Sequence, residues 1–550
     1  MKKIIIVGGV AGGASAAARL RRLSEQDEII MFERGEYISF ANCGLPYYIG
    51  GVIQERGKLL VQTVEKMSKR FKLDIRVMTE VVSINRDAKT ISAKNLQTGE
   101  VYEESYDTLI LSPGANPITP PLSGIHEANN IFTLRNIPDT DRIKEFVDQQ
   151  KPKKAVVIGG GFIGVEMAEN LHERGIHVML VEMANQIMPP IDFEMIAGVH
   201  KLLSEKGIDL ILEDGIDSFE NNGASVFLKS GKRLETDMIV LSIGVQPEST
   251  LAKEAGLPLG IRGTMKVNEF LQTDDPSIYA VGDAIQVKDY INGGDTMIPL
   301  AWPANRQGRM VADTINGRKA SYPGTMGTSI VKVFETTVAA TGNNEKVLRR
   351  LDIPFETVHV QYNSHAGYYP GAHPILIKLL FCKDTGKIYG AQCVGRDGVD
   401  KRIDVLATAI RAGLKATDLP DLELAYAPPY SSAKDPVNLV GYAASNVIEG
   451  LVENVQWHEI DELIKKGGYL IDVREPYELE QGKINGSVNI PLDELRDRLD
   501  EVPKDKELYV TCQLGMRGYL ASRILTQHGY KVKNLDGGYK LYSTAFPNHA

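Results

Sequence analysis

Uninterrupted apolar runs that stop at glycine and resume as small-residue segments mark the chain twice. "IIIVGGVAGGASAA" (4–17) and "AVVIGGGFIGVEMA" (155–168) share this pattern. Each β-branched run predicts a strand covered on both faces, and each small-residue segment predicts a helix packed against it. A second apolar strand follows in both copies, "EIIMFER" and "HVMLVEM", ending at the acids Glu33 and Glu182. "YDTLILSPGANPITPP" (106–121) and "TDMIVLSIGVQPES" (236–249) read as the matching exits, the first through a turn at Gly114. "TDDPSIYAVGDAI" (273–285) then returns to a strand ending at Gly282 and Asp283. This order predicts a first region over 1–118 and 250–327, with a second region, 119–249, inserted in it.

Past residue 328 the pattern changes. "SIVKVFETTVAATG" and "ILIKLLFCKDTGKIYGAQCVG" alternate as antiparallel strands do, and helical segments follow, so 328–446 predicts an α+β region. After a connection near 447–456, "GGYLIDVRE", "GSVNIP", "ELYVTCQ" and "KVKNLDGG" read as strands separated by helices. They predict a separate α/β region over 457–550, of a size that folds independently.

The repeat carries chemistry as well as structure. Counted from the first glycine, the acid falls 25 residues on in one copy and 23 in the other, the spacing of a dinucleotide-binding βαβ unit. In the second copy Gly159 allows the tight turn, Gly161 lets a pyrophosphate approach the backbone, and Gly164 permits close helix packing. The helix N-terminus supplies amide donors and partial positive charge for the phosphates. Glu182 suits a ribose 2′-hydroxyl and repels a 2′-phosphate, and no arginine follows it in "VEMANQ", which favours NADH over NADPH. In the first copy Gly8 and Gly13 fit, supported by Gly9 and Gly12, but Val10 holds the central glycine position. A dinucleotide can still bind there, with Glu33 on its ribose.

Composition narrows the class. A net charge of −9 argues against non-specific nucleic-acid or anionic-membrane partners. The N-terminus has the parts of a signal peptide, but four glycines and the arginines at 19, 21 and 22 fit a strand–turn–helix instead. No run is long and apolar enough to span a bilayer. Four scattered cysteines, Cys43, Cys382, Cys393 and Cys512, suit a reducing cytoplasm with cysteine kept for chemistry. Cys382 and Cys393 sit in apolar runs and read as inert. No metal site is expected.

The two fingerprints and "TDDPSIYAVGD" resemble the flavoprotein disulfide reductase superfamily over residues 1 to about 446. That resemblance implies two nested Rossmann-like dinucleotide-binding domains followed by an α+β dimerisation domain. It implies FAD in the first unit, a nicotinamide nucleotide in the second, and Asp283 on the flavin's ribityl chain. Most relatives carry a C-x₄-C redox pair, whereas here Cys43 is followed at the partner position by Tyr48. "SFANCGLPYY" (39–48) therefore resembles the single-cysteine branch: coenzyme A-disulfide reductases, NADH oxidases, NADH peroxidases and persulfide reductases. A lone cysteine cannot close an internal disulfide, so its oxidised form is a mixed disulfide, a persulfide or a sulfenic acid. A helix N-terminus and an oxidised flavin are expected to favour its thiolate.

Similarity to coenzyme A-disulfide reductases places Ser15, Arg19, Arg22, Ser39, Asn42, Asn305 and Lys434 at or near coenzyme A. The competing reading for Arg19, Arg21 and Arg22 is a solvated helix face. "HAGYYPG" (365–371) and "LAYAPPYSSAKD" (424–435) resemble segments whose tyrosines reach the partner subunit's active site, which selects Tyr368 and Tyr426 and implies a homodimer. Tyr369 is hard to separate from Tyr368, and a structural role competes for both.

The last region resembles rhodanese through "LIDVREPYEL", "GKINGSVNIP", "CQLGMR" and "NLDGGYKLY". There a loop of amides is expected to wrap Cys512 Sγ, with Arg517 adding positive charge and bracing the loop. A cysteine phosphatase competes, but Cys512 to Arg517 is short for a loop that surrounds phosphate. The whole chain is thus similar to coenzyme A-disulfide reductase/rhodanese fusions, also described as NADH-dependent persulfide reductases. The resemblance implies reduction of coenzyme A disulfide, coenzyme A persulfide or polysulfide at Cys43 and sulfane-sulfur handling at Cys512. The alternatives are an NADH oxidase or peroxidase cycling Cys43 through sulfenic acid, and a non-catalytic redox sensor or sulfur carrier.

Overall fold

The computed structural model describes residues 1–318 and 320–547, and the chain separates into two compact units. The last three positions of the predicted 457–550 region, and residue 319 in the first region, lie outside the described residues.

The first unit comprises 1–185 and 207–327. Its first sheet runs Ile278–Ala280, Thr108–Leu111, Lys3–Val7, Glu28–Phe32, Asp74–Arg76, all parallel. Ile4, Ile5 and Ile6 are each 0% exposed because helices and strands cover both faces. Burying each of these side chains stabilises the fold by roughly 1.5–3 kcal/mol. The second sheet repeats the plan with Asp209–Ile211, His177–Val181, Lys154–Ile158, Met238–Leu241, Ile131–Thr133. Each βαβ core also carries an antiparallel three-stranded sheet: Thr79–Asn85 to Val101–Ser105 in the first, Ile216–Glu220 to Arg233–Glu235 in the second. The strand Ile278–Ala280 joins the first sheet only after the second sheet is complete, so the first core is discontinuous in sequence.

The loops share their packing glycines. Helix Ala11–Leu23 starts one residue after Val10, and helix Phe162–Glu173 one residue after Gly161. A Cβ on Gly13 would lie 1.9 Å from the Gly8 carbonyl oxygen, and one on Gly164 would lie 1.9 Å from that of Gly159. These two glycines let each helix touch the loop that precedes it. Val10 takes φ −95° and ψ −133° where Gly161 takes φ −71° and ψ −178°, so the two loops differ at this position.

The second unit comprises 186–206 and 328–550. An antiparallel sheet, Ser329–Val333, Thr336–Gly342, Ile388–Gly395, Pro374–Phe381, Glu356–Asn363, is backed by helices Val399–Ala412 and Pro436–Ile448. A parallel sheet, Asn454–Val455, Val532–Leu535, Leu508–Thr511, Tyr469–Asp472, Val488–Asn489, forms the C-terminal layer. Residues 186–206, with helix Phe193–Glu205, pack within this unit although the sequence pattern groups them with 119–249. Phe193 stacks on Trp457 at 5.8 Å, and Trp457 meets Phe546 at 4.8 Å. Among the described residues no helix is long and apolar enough to cross a membrane.

Candidate active sites

A cavity of about 550 Å³ opens at the carboxyl ends of the first sheet. Gly8, Gly12, Glu33, Gly114, Gly282 and Asp283 line it, while Gly13 supports it from within the helix. The Glu33 carboxylate accepts from the Gly9 and Gly35 amides, both at 2.8 Å. Gly114, at φ +74°, has open space where a Cβ would stand, so a ligand can approach the backbone there. Asp283 carries no hydrogen-bond donor among the described residues; burial pushes its pKa up to about 6, with the Arg135 charge opposing. A carboxylate left in this state fits hydroxyl donors such as those of a ribityl chain. Size, acid placement and glycine cradle together fit FAD.

The second fingerprint has the same construction. Glu182 accepts from Gly160 N at 2.7 Å and Ala184 N at 2.9 Å. Gly161 caps the helix and has nothing within 4 Å of its Cβ direction, whereas Gly159 and Gly164 are closed in by backbone. One glycine thus clears room for a ligand and two serve packing. These residues fit a nicotinamide dinucleotide.

Cys43 sits in the short turn Asn42–Gly44 before helix Leu45–Gly50 and is exposed. The expected thiolate stabilisation by a helix N-terminus is not what the fold supplies. The helix has only six residues; desolvation first, then the carboxylates of Glu166 and Asp283, raise the pKa of the thiol. The protein's own groups therefore disfavour the Cys43 thiolate. Glu166 is itself pushed up to about 7 by burial, with the Tyr47 hydroxyl bond pulling the other way and Glu169 adding to the rise. Tyr47 Oη donates to Glu166 Oε1 at 3.1 Å.

Helix Ala11–Leu23 packs on helix Ala301–Ile315 and brings Ser15 and Asn305 together, with Oγ donating to Oδ1 at 2.6 Å. Arg19 is committed to Asp313 through Nε at 2.9 Å and Nη2 at 2.6 Å. Arg21 is buried and donates to the carbonyls of Phe71, Ser24 and Lys72, so it is a structural residue and not part of a solvated face. Arg22 is exposed and donates only to the Ala18 carbonyl among the described residues. Ser39 adopts φ +45°, and its carbonyl accepts from Val61 and Gln62. Asn42 lines the cavity.

In the second unit the hydroxyls of Tyr368 and Tyr426 lie 2.7 Å apart, with the side chains 77% and 47% exposed. That bond raises the pKa of Tyr368. Tyr369 is distinguished from Tyr368 by packing edge-on to His365 at 5.6 Å. Lys434 is exposed beside Asp435, the cap of helix Pro436–Ile448. Cys393 is buried in a strand, but Cys382 lies just past one, and hydrogen bonds led by the Thr385 hydroxyl lower its pKa.

Cys512 is 2% exposed at the end of strand Leu508–Thr511, and the Gly515 amide donates to its Sγ at 3.1 Å. Arg517 grips Glu478 through two bonds of 2.6 Å, which brace the loop, and its charge also interacts with Cys512. Arg474, fully buried on Asp472, reaches Gln513 Oε1 at 3.2 Å and lies over the Tyr539 ring at 4.0 Å.

Three residues of the first unit are not singled out by the sequence: Arg135, Glu166 and Tyr47, the last within the quoted Cys43 segment. Arg135 lines the cavity but belongs to no motif. Glu166 lies in the fingerprint helix, where it reads as an ordinary helical residue; only the fold buries it.

Comparison with known proteins agrees with this geometry. The pyridine nucleotide-disulphide oxidoreductase family matches residues 2–308, its dimerisation domain matches 328–436, and the rhodanese-like domain matches 456–545. A coenzyme A disulfide reductase of Staphylococcus epidermidis is 39% identical over 446 residues, 81% of this chain and all of that protein. The crystal structure of reduced Bacillus anthracis CoADR-RHD is 70% identical with a TM-score of 0.99, covering 100% of this chain and 99% of that one. An NAD-dependent persulfide reductase from A. fulgidus is 37% identical with a TM-score of 0.91, covering 98% of this chain and 100% of that one. The chain belongs to the pyridine nucleotide-disulphide oxidoreductase family, with a dimerisation region and a rhodanese-like region after its two dinucleotide-binding units.

Proposed function

We infer that the chain is an NADH-dependent reductase of coenzyme A disulfide, coenzyme A persulfide or polysulfide, with Cys43 as its single redox cysteine. Its rhodanese-like region handles sulfane sulfur on Cys512. The observation that carries the reading is the position of Cys43. It is exposed, has no second cysteine in its unit, and feels the Asp283 carboxylate of a cavity that fits FAD. Family membership implies a flavin and a nicotinamide nucleotide, and the amide-held Glu182 supports NADH over NADPH.

When bound, the flavin supplies two-electron exchange between nicotinamide and sulfur. The chain's residues do the rest. The Cys43 thiolate attacks one sulfur of coenzyme A disulfide, forming a Cys43–coenzyme A disulfide and releasing one coenzyme A thiolate. Two electrons originating in NADH restore the Cys43 thiolate and release the second coenzyme A. Glu166, poised near neutrality beside Tyr47, holds a proton close to the sulfur. Ser15, Arg22, Ser39, Asn42 and Asn305 hold coenzyme A, with Arg19 beside them on the same helix, paired to Asp313. Lys434, Tyr368 and Tyr426 are contributed across a homodimer, where the tyrosine pair protonates the departing thiolate. A cytoplasmic setting suits four free cysteines.

Comparing kcat/KM with NADH for coenzyme A disulfide, coenzyme A persulfide, polysulfide and oxygen tests this reading. Cys43→Ser should abolish all thiol-directed turnover. Full reductase activity in that variant, or oxygen as the preferred acceptor, refutes it.

A further inference from the structure

A buried chain of charges runs through the second unit and ends beneath the Cys512 loop. His359, in strand Glu356–Asn363, has a fully buried side chain. Its Nδ1 lies 2.7 Å from Asp536 Oδ2 and its Nε2 3.1 Å from Glu194 Oε1, while its amide donates to Asp536 Oδ1 at 3.0 Å. A neutral imidazole carries one N–H, so only the imidazolium donates to both carboxylates. Burial pulls the His359 pKa down, but Asp536 and the two hydrogen bonds outweigh it and push it up to about 9. Glu194 is also held by Lys378, whose Nζ reaches Asp192 at 3.0 Å and Glu345 at 2.6 Å. Lys378 thus occupies the centre of the Asp192–Glu194–Glu345 cluster as its resident cation.

Asp536 belongs to the rhodanese-like region, and the four residues after it press directly on the Cys512 loop. Gly537 and Gly538 turn the chain at φ +70° and +64°. Tyr539 N then donates to the Cys512 carbonyl at 2.7 Å, and Lys540 N to that of Gln513 at 3.0 Å. A Cβ at Gly538 would stand 2.5 Å from the Cys512 oxygen, so the turn and the loop are in close backbone contact.

We propose that His359, although it lies outside the rhodanese-like region, is a positioning residue for the Cys512 loop. By gripping both oxygens of Asp536 it fixes the turn on which the Cys512 and Gln513 carbonyls are seated. The functional half of this inference rests on the reading that Cys512 carries sulfane sulfur; the anchoring itself does not. The groups facing His359 are Glu194 from the Phe193–Glu205 helix, Asp536 from the C-terminal layer, and Gln456, whose Nε2 is 3.4 Å from Asp536. Lys378, with Asp192 and Glu345 behind it, and Glu356 on the same strand complete the set. A folded-state pKa raised from 6.5 means the anchor is fully present below about pH 6.5 and is lost as pH rises through about 9.

The test uses the full-length flavin-loaded protein, with His359→Gln and Cys512→Ser prepared alongside it. Transfer of sulfur from inorganic polysulfide to cyanide is read as thiocyanate, and amide hydrogen exchange is followed at Tyr539 and Lys540. In His359→Gln, kcat for transfer should fall about tenfold with KM unchanged, exchange at both amides should accelerate, and NADH-driven reduction at Cys43 should stay normal. The decline in transfer as the unsubstituted protein passes pH 9 should be missing in the variant. A folded His359→Gln with unaltered exchange and kcat overturns the proposal. If that variant fails to fold, exchange in the unsubstituted protein, corrected for intrinsic rates, decides: protection lost near pH 9 supports the anchor, and constant protection from pH 7 to 10 overturns it. Transfer that survives in Cys512→Ser refutes the sulfur-carrier reading, and the exchange data then judge the anchor alone.

Discussion

The Tyr47 hydroxyl donates a 3.1 Å hydrogen bond to Glu166 Oε1, and the two residues are 119 positions apart in the chain. The bond lowers the Glu166 pKa while burial raises it, and burial wins. The same carboxylate raises the pKa of the Cys43 thiol, so the proton on one group depends on the other. Removing the carboxylate as Glu166→Gln should lower the pH midpoint for iodoacetamide alkylation of Cys43 in the flavin-free protein. Tyr47→Phe should act in the same direction but more weakly, because Glu166 then loses the bond that favours its charged form. Alkylation rates across pH 6 to 10 check both signs, and identical midpoints in all three proteins contradict the coupling.

Gly161 and Gly164 of the second fingerprint should separate by function. Gly161→Ala meets nothing within 4 Å, so it should leave thermal stability unchanged and raise the KM for NADH about tenfold. Gly164→Ala puts a Cβ 1.9 Å from the Gly159 carbonyl, so it should cost roughly 1–3 kcal/mol of stability. Thermal melts and NADH titrations of the two variants distinguish the roles.

The proposed preference for NADH rests on Glu182 and makes a direct prediction. Glu182→Ala removes the acceptor for a ribose hydroxyl and the charge that repels a 2′-phosphate. The ratio of kcat/KM for NADH to that for NADPH should fall about tenfold or more. An unchanged ratio places the selectivity elsewhere.

Asp283 makes the flavin-free protein sensitive to pH. Its folded pKa, near 6, lies above the ordinary carboxylate value of 3.8, so the native state binds the proton more tightly than the unfolded chain. Its contribution to stability is therefore greatest at low pH and declines as pH rises from about 4 through 6, by on the order of 3 kcal/mol. Asp283→Asn should raise the melting temperature of the flavin-free protein at pH 7.5 and have little effect at pH 4.5. The same variant should weaken flavin binding, measured by fluorescence titration, because the charged acceptor is gone.

The parts of this protein legible in its sequence are those written within short stretches. Gly8, Gly13 and Glu33, like Gly159, Gly164 and Glu182, act through backbone contacts that local spacing already encodes. The "CQLGMR" loop is readable for the same reason, and so is the missing partner of Cys43 at Tyr48. Arg19, Arg21 and Arg22 show where that legibility stops. They read as one basic group, yet one is paired with Asp313, one is buried on carbonyls and one is exposed, because a helix turns successive side chains to different neighbours.

The sequence by itself determined the repeated strand–glycine–helix units, the discontinuous first core, the α+β and α/β layers after it, and the lone cysteine. Only the tertiary structure decided which charges meet. It set Glu166 beside Tyr47, closed Glu478 over Arg517, and seated His359 between Glu194 and Asp536, the latter 177 residues away. It also gathered 186–206 into the second unit. The physical reason is that a turn or a helix depends on neighbouring residues, whereas the proton on a buried side chain depends on desolvation and on partners from anywhere in the chain.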